Sequence, residues 1–282
     1  MTKTLGILGY PITHTLSPIM HNAAFCELGI DAQYVPFEVR PENIESALAG
    51  LIALGVSGVN VTIPHKESVL PFLDEIDIDA RRIGAVNTIL LKDGQLVGYN
   101  TDAQGFGNAF AQEIARPLAG QQVMLCGAGG AARAVFIQLL KENVKDIIIL
   151  SRTLARAAKM LDDLLVEHRD VKTTLCSFKD FSENNFSPDV LINATSVGLQ
   201  SNDPHLVPVD FFSSNMIVCD LIYNPPRTPL LRMAEEAGSL VMNGLGMLAH
   251  QGALAFNLWT GVQAPIDVMQ RALLNAFEST RP

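Results

Sequence analysis

A short apolar run, Gln122-Val-Met-Leu-Cys126, leads directly into Gly127-Ala128-Gly129-Gly130-Ala131-Ala132-Arg133, and a helical pattern follows. This is a GxGxxA motif in the strand-turn-helix setting that gives such a motif meaning. The first glycine permits a tight turn, the second lets a pyrophosphate approach the backbone, and the small residue at the end lets helix and strand pack. The helix N-terminus then faces the phosphates. At the end of the next apolar run, about 24 residues further on, a site for NAD would place an Asp or Glu against the ribose 2′-hydroxyl. The sequence instead reads Ser151-Arg152-Thr153, with Arg156 following. A guanidinium offers a planar fork of donors to a dianion, so the cofactor expected is NADP rather than NAD. The plainer readings are a glycine-rich turn without a nucleotide and a solvated surface arginine.

These groups must be positioned by a chain of 282 residues. That is long enough for two domains, since single cores tend to split beyond about 250 residues. Strand candidates alternate with amphipathic helix candidates almost from end to end, the pattern of an α/β fold. The first series is TLGIL, SPIMHNAAFCELG, QYVPFEV, ENIESALAGLIALG and GVNVTI. The second begins near Gln122, with the strands QVMLCG, DIIIL, DVLINAT and MIVCDLI separated by helices such as AARAVFIQLLKEN and LARAAKMLDDLLVEH. The apolar runs of the second series are continuous, as in parallel strands buried on both faces. TDAQGFGNAFAQEI reads as a linking helix, which puts a seam near residues 102 to 104. Two further helices close the chain, MLAHQGALAFNLW and PIDVMQRALLNAF.

A formal net charge of −9 and a pI near 5.1 argue against a nucleic-acid or anionic-membrane surface, because both need clustered Lys and Arg. No signal-peptide pattern opens the sequence and no uncharged apolar run reaches about 18 residues, so the chain reads as cytoplasmic. Cys26, Cys126, Cys176 and Cys219 are far apart and lie in apolar segments, so buried, reduced thiols are expected. His14 and His21, seven residues apart, would need a third ligand that the sequence does not offer, and no metal is expected.

The first half carries further motifs. Gly9-Tyr-Pro11-Ile-Thr-His14-Thr15-Leu-Ser17-Pro18-Ile-Met-His21-Asn22 follows the first strand, and Asn60-Val-Thr62-Ile-Pro64-His-Lys66-Glu67 follows another. Then come Gly84-Ala-Val-Asn87-Thr88, Asn100-Thr101-Asp102 and, near the end of the chain, Gly244-Leu-Gly-Met-Leu-Ala-His-Gln251-Gly252. Together, and in this order, they closely resemble the shikimate dehydrogenase family over essentially the whole chain. The resemblance implies two α/β domains with an active-site cleft between them. Residues 1–103 plus 245–282 would form a substrate-binding catalytic domain, and residues 104–244 a Rossmann-like NADP-binding domain.

Carried over position by position, the resemblance makes Lys66 and Asp102 the catalytic pair at the hydroxyl that becomes a ketone. Asn87, Thr62 and Gln251 would bind ring hydroxyls, Thr15 and Ser17 the substrate carboxylate, and Tyr223 would line the same site. NADP contacts fall to Gly127, Ala128, Gly129, Gly130 and Ala131, to Ser151, Arg152, Thr153 and Arg156, and to Leu221 and Gly244. The implied reaction interconverts shikimate and 3-dehydroshikimate, a step of aromatic amino acid biosynthesis. The expected partners are that small substrate and NADP, with a homodimer left open. Two positions depart from the commoner pattern: Thr15, where serine is usual, and Ser151, where asparagine often precedes the arginine.

The chemistry of these residue types agrees with the roles. Oxidising a secondary alcohol removes a hydride and a proton, so an ionisable group must reach the oxygen. Lysine is awkward as a base, since an unperturbed amine with a pKa near 10.4 is neutral in only about one part in 2,500 at pH 7. As an ammonium donor in the reducing direction it has no such handicap. Each residue also has a structural reading: Asp102 or Ser17 as a helix cap, Asn60 or Asn87 as a turn residue, and the Asp74, Glu75, Asp77, Asp79 cluster as a solvated face. A quinate/shikimate dehydrogenase of broader specificity is the nearest competing reading. A methylenetetrahydrofolate dehydrogenase would leave motifs 62–67 and 100–102 unexplained, and a non-enzymatic nucleotide sensor would have no reason to hold both Lys66 and Asp102.

Overall fold

Strand after strand in the first part of the chain ends in a loop rich in Gly, Pro and hydroxyl residues, and the topology collects those loops at one edge. A computed structural model describes residues 2–165, 171–200 and 202–278. The chain divides into two compact units, Met1–Gly105 with Leu248–Pro282, and Phe106–Met247. The divisions, at 105/106 and 247/248, lie two and three residues from the 103/104 and 244/245 seams read from the sequence.

In the first unit, strands β1 (Lys3–Gly9), β2 (Ala32–Glu38), β3 (Gly58–Val61), β4 (Glu75–Ile76), β5 (Thr88–Lys92) and β6 (Gln95–Tyr99) form a mixed sheet in the order β2-β1-β3-β5-β6-β4. β1 runs parallel to β2 and β3, whereas β5 is antiparallel to both β3 and β6. Pro36 is tolerated because β2 is an edge strand, where a missing N–H costs no ladder bond. Asp93 and Gly94, both with positive φ, make the tight β5–β6 turn, the conformation that Asp-Gly adopts with least strain. This hairpin is absent from the sequence reading. Helices α1 (Ser17–Glu27), α2 (Ile44–Ala53) and α3 (Ile78–Ile83) belong to this unit, and α4 (Asp102–Ile114) begins in it. Leu8, Leu48, Val59, Val86 and Ile89 are among its core residues.

The second unit holds β7 (Gln122–Cys126), β8 (Asp146–Ser151), β9 (Lys172–Ser177), β10 (Val190–Asn193), β11 (Ile217–Asp220) and β12 (Leu240–Met242). All six strands are parallel, in the order β12-β11-β10-β7-β8-β9. That order reverses direction between β7 and β10, which is the Rossmann arrangement, and ligands bind beyond the carboxyl ends of strands at such a switch point. α5 (Gly130–Lys141) and α6 (Leu154–Leu164) follow β7 and β8. α6 buries Ala157, Met160, Leu161 and Leu164, the spacing of a single apolar stripe. The sequence reading extends this helix to His168, and that last part lies outside the described residues. α7 (Pro229–Glu236) precedes β12, and α8 (Gly244–Thr260) and α9 (Ile266–Glu278) complete the chain.

The four cysteines are free, but only Cys126, Cys176 and Cys219 are buried. Cys26 is exposed, correcting the expectation from its apolar surroundings. α1 buries Ser17, Met20, His21, Ala24 and Phe25, and Cys26, in its last turn, falls off that face. Among the described residues no helix is long and apolar enough to cross a membrane.

Candidate active site

In the first unit the register of the sheet gathers the predicted residues at one end. Leu8 pairs with Val61, Asn60 with Thr88, and Thr88 with Tyr99. The loops leaving β1, β3 and β6, and the one entering β5, therefore open on the same edge. Two backbone bonds, Tyr10 N–H to Ile63 O at 3.0 Å and Thr62 N–H to Leu8 O at 2.9 Å, fasten the loop bearing Thr15 to the loop bearing Thr62 and Lys66.

Lys66 Nζ donates to Asp102 Oδ2 at 2.5 Å, with side chains 15% and 5% exposed. Asp102 Oδ1 accepts from Asn87 Nδ2 at 2.9 Å. The same amide lies 2.9 Å from Thr101 Oγ1 and 3.3 Å from Gln251 Oε1. Two amide hydrogens cannot serve three acceptors at full strength, so a hydroxyl that displaces one of them meets little resistance. Asn87 Oδ1 is held by Thr101 N–H at 2.8 Å and Thr88 Oγ1 at 3.0 Å, which fixes the orientation of the amide. Gln251 is anchored through its Nε2 to Leu248 O at 2.8 Å. Its reach toward Asn87 depends on Gly105, where a Cβ would lie 2.7 Å from that of Gln251 and 2.8 Å from its backbone nitrogen. A glycine here is what lets α4 and α8 approach so closely.

The helix-cap readings of two residues do not hold. Asp102 is the first residue of α4, its N–H is received by Asn100 Oδ1 at 3.0 Å, and its carboxylate is turned to Lys66 and Asn87. Ser17 lies inside α1, buried, and its N–H is received by Thr15 Oγ1 at 3.3 Å. Asn60 and Asn87 are not simple turn residues either. Asn60 accepts from Tyr34 Oη at 2.7 Å and donates to Thr88 Oγ1 and the Asn87 carbonyl. Within the acidic cluster, Asp74 receives Leu96 N–H and Asp77 caps α3, so both have structural duties. Thr88 and Thr101 stand in motifs read from the sequence but receive no role there, and Tyr34 stands in none of those motifs. Only the register 60–88–99 reveals that they meet.

In the second unit the glycine motif stands at the switch point. Gly127 has φ +111°, and a Cβ there would come within 3.1 Å of Ala194 O and Thr195 Cγ2 beyond β10. Both reasons call for glycine. Gly129 leads into α5, whose first turn is formed by Gly130, Ala131 and Ala132. The nearest neighbour of a Cβ at Gly129 would be Arg156 Nη2 at 3.8 Å, so that guanidinium hangs beside the glycine turn. Ser151 ends β8, and its hydroxyl receives Thr153 N–H at 3.2 Å. Arg152 and Thr153 are exposed. Gly244 opens α8 with its N–H on Ile222 O at 3.0 Å, and a Cβ there would overlap the Leu221 carbonyl. Tyr223 stands two residues after Leu221 on the loop leaving β11. An open glycine turn, the first turn of the helix behind it, Arg152 on the neighbouring loop and Arg156 in the first turn of α6 fit a phosphorylated dinucleotide.

Comparison with known proteins agrees along the whole chain. Residues 7–89 match the shikimate dehydrogenase substrate binding domain, residues 109–201 the shikimate / quinate 5-dehydrogenase family, and residues 244–274 the shikimate 5′-dehydrogenase C-terminal domain. The shikimate dehydrogenase (NADP(+)) of Methanopyrus kandleri is 46% identical, covering 97% of this chain and 95% of that protein. A crystal structure of a shikimate dehydrogenase in complex with NADP+ superposes with TM-score 0.88 at 42% identity, covering 98% of this chain and 96% of that one. The shikimate 5-dehydrogenase of Thermus thermophilus, in complex with NADP(H) and shikimate, gives TM-score 0.86 at 35% identity, covering 98% of this chain and 100% of that one. With such identity over nearly its full length, this chain belongs to the shikimate dehydrogenase family.

Proposed function

We propose that the protein is an NADP-dependent shikimate dehydrogenase, reducing 3-dehydroshikimate to shikimate reversibly on the route to aromatic amino acids. The observation that carries this reading is the Lys66–Asp102–Asn87–Gln251 network, assembled at one edge of a sheet in a chain of this family. The first unit holds the hydroxy acid and the second holds NADP. NADP, when bound, supplies the hydride acceptor or donor.

The chain's own residues handle the proton and the orientation. An ammonium has three donors. One of Lys66 is committed to Asp102, and another is directed to the substrate oxygen. On reduction, the carbonyl oxygen takes a proton from Lys66 Nζ, and on oxidation the hydroxyl returns it. Asp102 aims the amine, while Asn87, Thr62 and Gln251 bind the remaining hydroxyls. Gly127 through Ala131 receive the pyrophosphate, Arg152 and Arg156 the 2′-phosphate, and Leu221, Tyr223 and Gly244 line the rest of the site. An absorbance assay for NADPH formation tests the assignment: activity with shikimate and NADP+ supports it, and activity confined to quinate or absent with both acids refutes it.

Because Arg152 is exposed at the end of β8, Arg152→Ala leaves the fold intact. It raises KM for NADP+ by about tenfold or more and hardly alters the use of NAD+, since a charge-assisted bond to phosphate is worth roughly 1.5–3 kcal/mol. Equal losses with both cofactors would make Arg152 structural.

The substrate carboxylate is bound by the hydroxyls of Thr15 and Ser17 rather than by an arginine. Arg40 lies over the ring of Tyr10, 5.5 Å from its centroid, and Arg81 and Arg82 occupy the last turn of α3. Quinate carries an extra hydroxyl on the carbon bearing the carboxylate, which brings a polar group beside the Thr15 methyl. An unpaired buried hydroxyl costs about 1–3 kcal/mol, so kcat/KM favours shikimate by roughly ten- to hundredfold. Measurements with both acids in the parent, Thr15→Ser and Ser17→Ala check this. Equal values in the parent sink the selectivity, and an unchanged shikimate KM in Ser17→Ala sinks the hydroxyl pair.

A further inference from the structure

Asp220, the last residue of β11, is completely buried and lies outside every motif assigned above. Its Oδ1 accepts from Asn193 Nδ2 at 2.9 Å and from Ile222 N–H at 3.1 Å, and its Oδ2 accepts from the Thr228 hydroxyl at 2.7 Å. The three donors come from three segments. Asn193 ends β10, receives the N–H and hydroxyl of Thr195 on its Oδ1, and also donates to Val197 O. Ile222 sits between Leu221 and Tyr223, and its carbonyl receives Gly244 N–H. Thr228 caps α7 through Leu231 N–H. Gly198, at φ +110°, packs where a Cβ would lie 3.4 Å from Ile222 and 3.6 Å from Thr228. The same β10 loop, at Ala194 and Thr195, leaves just enough room for Gly127.

We propose that Asp220 is a positioning residue of the NADP site, whose ionised carboxylate fastens loop 193–198 and loop 221–228 in the shape that lets the glycine turn receive the dinucleotide. The proposal rests on the reading of the second unit as the NADP-binding one. A carboxylate can accept all three donors at once. A neutral acid turns one oxygen into a donor and so loses part of that set. Burial pushes the Asp220 carboxyl up to about 6, although Thr228, Ile222 and Asn193 all favour its ionised form. The thiols of Cys126 on β7 and of Cys219, its neighbour on β11, lie within reach of its charge, and burial raises both far above the usual thiol range, so they stay neutral. Glu113 of α4 faces Cys219 and is itself raised by burial. Asp203, beyond Gly198, is held low by the N–H groups of Gln200 and Gly198. Arg227, on the Thr228 loop, is turned to Glu235 at 3.5 Å.

The test is NADP+ binding by titration calorimetry from pH 8 to pH 5.5, with folding checked by circular dichroism at each pH. Asp220→Asn mimics the neutral acid. At pH 8 it weakens binding about tenfold relative to the parent, while kcat at saturating NADP+ changes less than about twofold. As pH falls through 6 the two proteins converge, because the parent acquires the same neutral group. The nucleotide's own phosphate titrates equally in both, so it cancels in the ratio of dissociation constants. Thr228→Val removes one donor to the ionised form and moves the parent's acid loss of affinity to higher pH. It also keeps the proposal falsifiable should Asp220→Asn fail to fold. A ratio constant at every pH, or an acid limb unmoved in Thr228→Val, overturns the positioning role. Absence of NADP+ binding by the parent at pH 8 overturns the cofactor reading itself, and the proposal with it.

Discussion

Lys66→Ala lowers kcat for shikimate oxidation by at least about a hundredfold while KM for shikimate changes little, the split expected when a proton-transfer group is lost and ground-state binding is not. The geometry explains the split. Lys66 is the cation of a network whose other members, Asp102, Asn87, Thr101 and Gln251, hold each other through separate bonds. Removing the amine leaves Asn87 tied to Thr88 and Thr101, so the hydroxyl-binding face survives and the proton path does not. The truncation also leaves space for a small amine. Added methylamine therefore restores part of kcat in Lys66→Ala and nothing in the parent. Steady-state kinetics on a variant with a parental circular dichroism spectrum checks both statements. Near-normal turnover would remove Lys66 from the mechanism, and a large rise in KM with kcat intact would make it a binding residue.

What the sequence could and could not reveal divides along physical lines. Continuous apolar runs such as Ile147 to Leu150 mark strands covered on both faces, and Gly127, with its positive φ, stands where only a residue without a Cβ fits. Both signals are local, so they can be read from a few residues. The β5–β6 hairpin also carries a local signal, Asp93-Gly94 between two apolar runs, and is missed because the surrounding alternation suggests strand-helix units throughout. Thr88 and Thr101 fall inside motifs 84–88 and 100–102 yet carry no local sign of their role, and Tyr34 falls in no motif at all. Their meeting with Asn60 and Asn87 follows from strand register, and a slip of one residue would turn each of them to the opposite face. Gly105 is similar: within α4 it resembles a weak helix position, and only its closeness to Gln251 explains it. Asp220 escapes notice for a further reason. An acid at the end of an apolar strand looks like the start of a solvated loop, and its three donors lie 27, 2 and 8 residues away.

Acid destabilises this protein through a histidine that no catalytic step uses. His21 on α1 is fully buried, stacked on Tyr34 with ring centroids 4.3 Å apart and flanked by Phe256, Trp259 and Phe25. Neither ring nitrogen is within hydrogen-bonding geometry of a partner among the described residues. Burial lowers its pKa from 6.5 to about 3, an effect that the neighbouring Asn60 amide opposes only in part. The unfolded chain therefore takes up a proton near pH 6.5, whereas the folded chain does not do so until about pH 3. Between those values the unfolded state binds more protons, so stability is complete above pH 6.5 and declines as pH falls toward 3. At about 1.4 kcal/mol per pH unit, the loss between pH 8 and pH 5 is roughly 2 kcal/mol, and by pH 4 roughly 3 kcal/mol. His250, half-buried and lowered by the same cause, adds a contribution of the same sign. His21→Phe keeps a ring in the stack and removes the titration. Urea denaturation at pH 8 and pH 5 should therefore show the parent losing markedly more stability than the variant. Parallel losses in the two proteins would mean that the acid sensitivity arises elsewhere, and a variant more acid-sensitive than the parent would mean that His21 is protonated in the folded state.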